Sequence, residues 1–172
     1  MITKHFKALL SVMLQANTGF GMVACKDTGG NTVYAAGMFT SSNFPAKLTT
    51  TLTTSATDVG IVLGSGTTPA TENDYRIETP VTGVSASISG SNSLISGNPA
   101  RTYTIEVTNN NASSVTISEV AYIQKVSCAN TLESSTTYTK NVCFDRTLLS
   151  SPVTIGAGET KTIAYTLTTL VS

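Results

Sequence analysis

Thr102-Tyr-Thr-Ile-Glu-Val-Thr108, Val115-Thr-Ile-Ser-Glu-Val-Ala-Tyr-Ile123 and Thr160-Lys-Thr-Ile-Ala-Tyr-Thr-Leu-Thr168 decide the fold class. In the first run Tyr103, Ile105 and Val107 alternate with Thr102, Thr104 and Glu106. In the last, Ile163, Tyr165 and Leu167 alternate with Thr162, Ala164 and Thr166. A period of two sends one set of side chains to a buried face and the other to a wetted face, the pattern of an antiparallel sheet. Asn109-Asn-Asn111, Ser150-Ser-Pro152 and Gly156-Ala-Gly158 supply turn formers between the runs. The expectation is an all-β chain: an antiparallel β-sandwich, immunoglobulin-like or jelly-roll, with a short N-terminal α-helix.

Upstream, the spacing of Ile2, Phe6, Leu9 and Met13, widened by Leu10 and Leu14, predicts an amphipathic helix over residues 3–15, with Thr3 as N-cap. The rival is a secretory signal, but the apolar run is short, Ser11 interrupts it, and Gln15-Ala16 is no small-x-small cleavage site. The helix is expected to stay uncleaved and to dock its apolar stripe on its own domain or on a neighbour. It is too short to span a membrane. This divides the chain into a helix at 1–17 and a β domain at 18–172, with a subdivision near 90–100 left open.

Within that domain, Met22–Lys26 and Thr32–Ala36 flank Asp27-Thr-Gly-Gly-Asn31 as a hairpin. A Thr-rich strand at 47–54, an apolar one at 59–63, a long loop at 64–74 and a short strand at 75–78 should follow. Val84–Ser89 alternates cleanly, and 89–99 reads as a Gly/Ser/Asn turn region. Residues 130–139 form a polar surface loop before a strand around 142–148.

Composition narrows the function. With 172 residues the chain can bury a core without disulfide or metal staples. Charged residues are 12% of it and the formal net charge is zero, so little self-repulsion keeps copies apart. About three residues in ten are Ser or Thr, and Thr favours strands. Such a chain suits life inside an assembly. No Lys/Arg cluster points to nucleic acid. Cys25, Cys128 and Cys143 make an odd set without close pairing, which fits reduced thiols, while one bridge plus a free thiol stays open.

The chemical signals are weak. Gly64-Ser-Gly66 lacks the Lys-Ser/Thr of a phosphate loop and reads as a tight turn. Asp58, Glu72, Asp74 and Glu78 match no calcium loop and read as solvated charges. The lone His5 lies in the helix, and Cys128 and Cys143 lack zinc spacing. Asn111-Ala-Ser113 is formally a glycosylation sequon, meaningful only in a eukaryotic secreted protein. No catalytic residue, metal site or cofactor is assigned, and an enzyme is not expected. Glu119 and Arg146, in contrast, each interrupt a strand that otherwise looks buried. Because unpaired buried charge is costly, they are expected to form a cross-strand salt bridge of structural purpose.

Three stretches resemble small virion structural proteins of tailed bacteriophages. They are Met1-Ile-Thr-Lys4, then Gly60-Ile-Val-Leu-Gly-Ser-Gly-Thr-Thr-Pro-Ala-Thr-Glu-Asn-Asp-Tyr75, which looks like a "GxGTTPxTxxDY" signature, and last Glu119-Val-Ala-Tyr122 with Asp145-Arg-Thr-Leu-Leu-Ser-Ser-Pro-Val-Thr-Ile-Gly-Ala-Gly-Glu159. The last is similar to "EvGl … dRtvlspPvtipaGet" endings, with Ala121 and Gly156 standing where those have glycine and proline. The resemblance implies a structural subunit at the neck, tail or head surface of a virion assembled in a bacterial cytoplasm. Its partners would be copies of itself and other virion proteins, with no nucleic acid or membrane. Ile2, Phe6, Leu9 and Met13 are the candidate oligomer contacts. A second reading is a fibre-like adhesion module touching a host surface through loops 64–74 and 127–140.

Overall fold

The computed structural model describes residues 2–4, 7, 23–35, 51–129 and 137–168, and these form an all-β protein. Nine strands appear in chain order: β1 Val23–Lys26, β2 Thr32–Ala35, β3 Leu52–Thr53, β4 Gly60–Gly64, β5 Val84–Ile95, β6 Asn98–Asn109, β7 Val115–Ala129, β8 Thr137–Ile155 and β9 Thr160–Thr168. They make two sheets. One has β7 as its spine, bonded to β8 along one edge and to β2 and β4 along the other, with β1 beyond β2 and β3 beyond β4. The other is an antiparallel sheet in the order β5-β6-β9.

The alternating runs explain why the sheets face each other. Tyr103, Ile105 and Val107 of β6 and Ile163 and Tyr165 of β9 enter one buried cluster with Ile61, Leu63, Val120, Tyr122 and Phe144 of the first sheet. Tyr103 stacks on Tyr122 with ring centroids 5.7 Å apart, and on Tyr165 at 6.1 Å. Burying each large side chain contributes about 1.5–3 kcal/mol. On their wetted faces the strands carry cross-strand hydroxyl pairs, Thr102–Thr166, Thr108–Thr160 and Thr116–Thr154, at 2.8–3.0 Å. The sequon residue Asn111 serves a turn, its side-chain amide donating to the Thr82 carbonyl at 3.0 Å.

Several expectations change. Residues 89–99 are not a turn region: β5 and β6 run through them as one hairpin, and only Ser96 and Gly97 turn, with φ of 50° and 79°. Positive φ at both central residues is the two-residue turn that matches strand twist. Ser150-Ser-Pro152 is not a turn either. It lies within β8, where the register jumps from Ile117↔Val153 to Glu119↔Leu148, a bulge that absorbs the proline's missing donor. β3 pairs β4 parallel, a departure from a wholly antiparallel sandwich. Gly60 permits this close approach: its φ is 149°, and a Cβ there would stand 2.6 Å from the Thr51 carbonyl oxygen.

The strand expected at 75–78 does not form; the nearest pairing is an isolated bridge just beyond it, Gly64↔Pro80. Of the Thr-rich strand only Leu52–Thr53 is paired, and 47–50 lie outside the described residues. Of the polar loop at 130–139, residues 137–139 belong to β8 and the rest lies outside them too. The helix expected over 3–15 also falls largely outside, as do His5, Phe6, Leu9 and Met13. Within the described part, the Lys7 amide donates to the Thr3 carbonyl at 3.2 Å.

Candidate functional site: a buried ion cluster under the glycine loop

β7 is buried on both faces from Ile117 to Gln124, because one face meets the second sheet and the other is covered by the 64–80 segment. On the covered face Ala121, Ile123, Val62 and Cys143 pack with Ile77 of that segment. Glu119 shares this face and is wholly buried.

Arg146 reaches the same place through a bulge. The register passes from Tyr122↔Asp145 to Ile123↔Cys143, so Phe144 is an extra residue. An inserted residue resets alternation. Phe144 and Asp145 both turn towards the second sheet, and Arg146 turns towards the loop.

There the Arg146 guanidinium is nearly fully used. Its Nε donates to Glu119 Oε2 at 2.7 Å, Nη1 to Asp74 Oδ2 at 2.8 Å, and Nη2 to the Thr68 carbonyl at 3.0 Å; Glu78 Oε2 lies 3.5 Å from Nη2. Glu119 Oε1 accepts from the amides of Gly66, Glu78 and Thr79 at 3.0–3.1 Å. This explains why 75–78 is no strand: the Glu78 and Thr79 amides bond a carboxylate instead of a neighbouring strand. Gly64 and Gly66 are glycines for a related reason. A Cβ at Gly64 would stand 2.5 Å from Glu119 Oε1, and one at Gly66 would also collide with that atom.

Burial opposes charge on Arg146, yet its hydrogen bonds to Asp74 and Glu119 outweigh that and hold it above its ordinary value. Burial would likewise raise Asp74, but the Thr71 amide and Arg146 outweigh it and keep its carboxyl below the usual range. The Thr68 hydroxyl and amide lower Glu78. Every charge in the cluster has a fixed partner. Thr68, Asn73, Asp74, Tyr75, Arg76, Ile77, Glu78 and Arg146 line a shallow cleft of about 260 Å³. Together these bonds restrain the 64–80 loop against β7 and β8.

The N-terminal stretch ends at the same place. The Thr3 amide donates to the Phe144 carbonyl at 3.0 Å, its buried hydroxyl donates to the Cys143 carbonyl at 2.6 Å, and the Lys4 amide donates to the Glu72 carbonyl at 2.7 Å. Ile2 bridges Asp145 of its own chain. On the opposite side of β8, Asp145 accepts from the Tyr165 hydroxyl at 2.6 Å and from the Thr147 hydroxyl at 2.8 Å. Cys25 and Cys143 are both buried, and neither is in a disulfide. Burial, followed by the nearby Asp145, pushes the Cys143 thiol up.

Glu119 and Arg146 therefore meet, while Asp74, Glu78 and the Gly64–Gly66 turn, read from sequence as independent surface features, belong to the same cluster. Their sequence signal was membership of the signature-like stretch Gly60–Tyr75, or for Glu78 proximity to it. Asp58 is exposed, and Glu72 faces Lys7 at 3.6 Å. Among the described residues no group of three or more His, Cys, Asp or Glu is arranged to hold a metal, and no helix is long and apolar enough to cross a membrane. No protein-family model, curated protein or solved structure matches this chain.

Proposed function

We propose that the protein is a structural subunit of a tailed-phage virion, repeated as a ring or array at the neck, tail or head surface. In this reading the two facing sheets are a sandwich of immunoglobulin-like or jelly-roll type, with the N-terminal helix appended. One observation carries it. The three stretches with the phage-like resemblance, far apart in sequence, meet around Arg146: Thr3 and Lys4, the Gly64–Asp74 loop, and Glu119 with Asp145 and Arg146. Residues that resemble one family and hold one another in place mark a structural unit, and the charges of the cluster are engaged in holding the loop. The low charge suits dense packing of copies. Mass spectrometry of purified particles tests this: the protein should be present in stoichiometric amounts, and its absence would end the reading. Labelling the particles then gives its position.

A second reading, a fibre-like adhesion module, has one observation in its favour. Tyr138, in the 127–140 segment named for it and at the start of β8, is 47% exposed. Binding of purified protein to host cells, abolished by Tyr138→Ala, would favour it.

A further inference from the structure

We infer that β5 is a self-pairing edge, at which a second copy of this chain adds its own β5 antiparallel across a two-fold axis centred on Ser91. Among the described residues β5 is bonded only to β6, leaving its other edge without a strand. Natural edge strands are usually blocked by charge, proline or a bulge. β5 has none of these. Its register with β6 is unbroken over all 12 residues, and no residue from Thr79 to Ala100 is charged. At one end β3 faces Val84 and Ala86 across an open groove; the half from Ser89 to Ile95 is exposed throughout.

The occupant follows from the pattern of the strand. Ile88 and Leu94 share one face by alternation, and Leu94 is 72% exposed, the most exposed of the large hydrophobic side chains described. With Ser91 on the axis, Leu94 of each copy lies opposite Ile88 of the other, and Ser89 lies opposite Ser93. Both exposed leucines are covered, serine meets serine, and no like charges are apposed. A charged or proline-bearing partner strand would gain none of this, whereas a second copy is complementary by construction. The result is one continuous six-stranded sheet, β9-β6-β5 joined to its symmetry mate. The inference rests on the assembly reading above and names a surface for it.

The test uses the full chain. Residues on the axis face themselves, and in either kind of antiparallel pair their Cα atoms are about 4.5–5.5 Å apart, within disulfide range. Ser91→Cys should therefore give a covalent dimer on mild oxidation, while Ser85→Cys and the parent chain do not. Leu94→Lys, at a site too exposed to disturb folding, should leave the thermal midpoint unchanged and weaken self-association about tenfold or more in sedimentation. A parent chain that self-associates while Leu94→Lys has no effect and Ser91→Cys forms no dimer would overturn β5 pairing alone. A parent chain that stays monomeric at all concentrations would overturn both the pairing and self-assembly.

Discussion

Arg146 and Glu119 are joined on the diagonal of the β7–β8 ladder. Arg146 stands opposite Ala121 and Glu119 opposite Leu148, yet Nε and Oε2 are 2.7 Å apart. A step of two along a strand keeps the same face, so the diagonal brings both charges beneath the glycine loop. Glu119 then holds the loop's amides while Arg146 holds its carbonyl and carboxylates.

Removing one partner of this pair should be costly. Arg146→Met leaves Glu119 charged in low dielectric, and Glu119→Gln leaves the guanidinium short of its best-buried acceptor. Each should lose about 3–5 kcal/mol in urea denaturation. The double variant should lose less than the sum by about 1–3 kcal/mol, since Asp74 and Glu78 can turn to water. Additive small losses would refute the coupling.

A glycine of the loop and the glycine of the β5–β6 turn should respond to the same substitution for different reasons. Gly66→Ala forces a Cβ into Glu119 and Glu78 and should cost about 1–3 kcal/mol by overpacking. Gly97→Ala meets nothing within 4 Å and should cost only about 1–2 kcal/mol, from its positive φ. The distinguishing measurement is the pair with Glu119→Ala. That background should relieve the share of the Gly66 penalty that comes from Glu119, leaving the share from Glu78, and should leave the Gly97 penalty unchanged.

The sheet content was legible because alternation in residues 102–108 and 160–168 has a physical cause, one wet face and one dry. The Glu119–Arg146 pair was legible because charge inside apolar runs demands a partner. What was not legible depends on bulges. Phe144 shifts the alternation by one residue, and from sequence parity Arg146 would share the face of Phe144 and Val142. The exposed serines of 89–95 carry turn-forming residues but are held extended by twelve consecutive pairs with β6, a non-local effect that composition cannot report. For the same reason Asp74 and Glu78 looked solvated: nothing local says that a distant arginine lies beneath them.

Stability should fall on both sides of neutrality, from different groups. The carboxyls of Asp74 and Glu78 titrate below their ordinary 3.8 and 4.5 in the folded state. Their contribution is thus present above those values and is lost as pH drops through the lowered ones. Cys143, Tyr122 and Tyr165 are raised above their ordinary 9.0 and 10.0, chiefly by burial. Their contribution is complete below those values and is lost as pH rises past them. Urea midpoints should be flat across about pH 5–8 and decline outside; a decline already under way at pH 6–7 would contradict these assignments.

Cys25 and Cys143 should be inert to a thiol reagent in the folded protein and react on unfolding, since both are buried and Cys143 is held in its neutral form. Peptide mapping after brief labelling checks this. Modification of Cys143 at the rate of an exposed thiol would mean that the loop covering β7 opens readily.

Asp145 and Tyr165 tie the two sheets together by a polar bond inside the shared core, and this link should be worth more than its number of atoms suggests. The Tyr165 ring is almost fully buried, and its hydroxyl donates to Asp145 Oδ2 at 2.6 Å. Tyr165→Phe keeps the ring and its packing on Tyr103 but removes the donor. The carboxylate keeps the Thr147 hydroxyl at 2.8 Å, so it is weakened without being abandoned. A loss of about 1–3 kcal/mol is expected, the cost of a buried acceptor losing one partner. Asp145→Asn should cost a similar amount, because both hydroxyls bond the one oxygen Oδ2 and a neutral amide oxygen accepts more weakly than a carboxylate. If the bond is the cause, adding Tyr165→Phe to Asp145→Asn should bring little further loss. Two full, additive losses would instead place the stabilisation in separate contacts of the two side chains and leave the sheets joined by apolar packing alone.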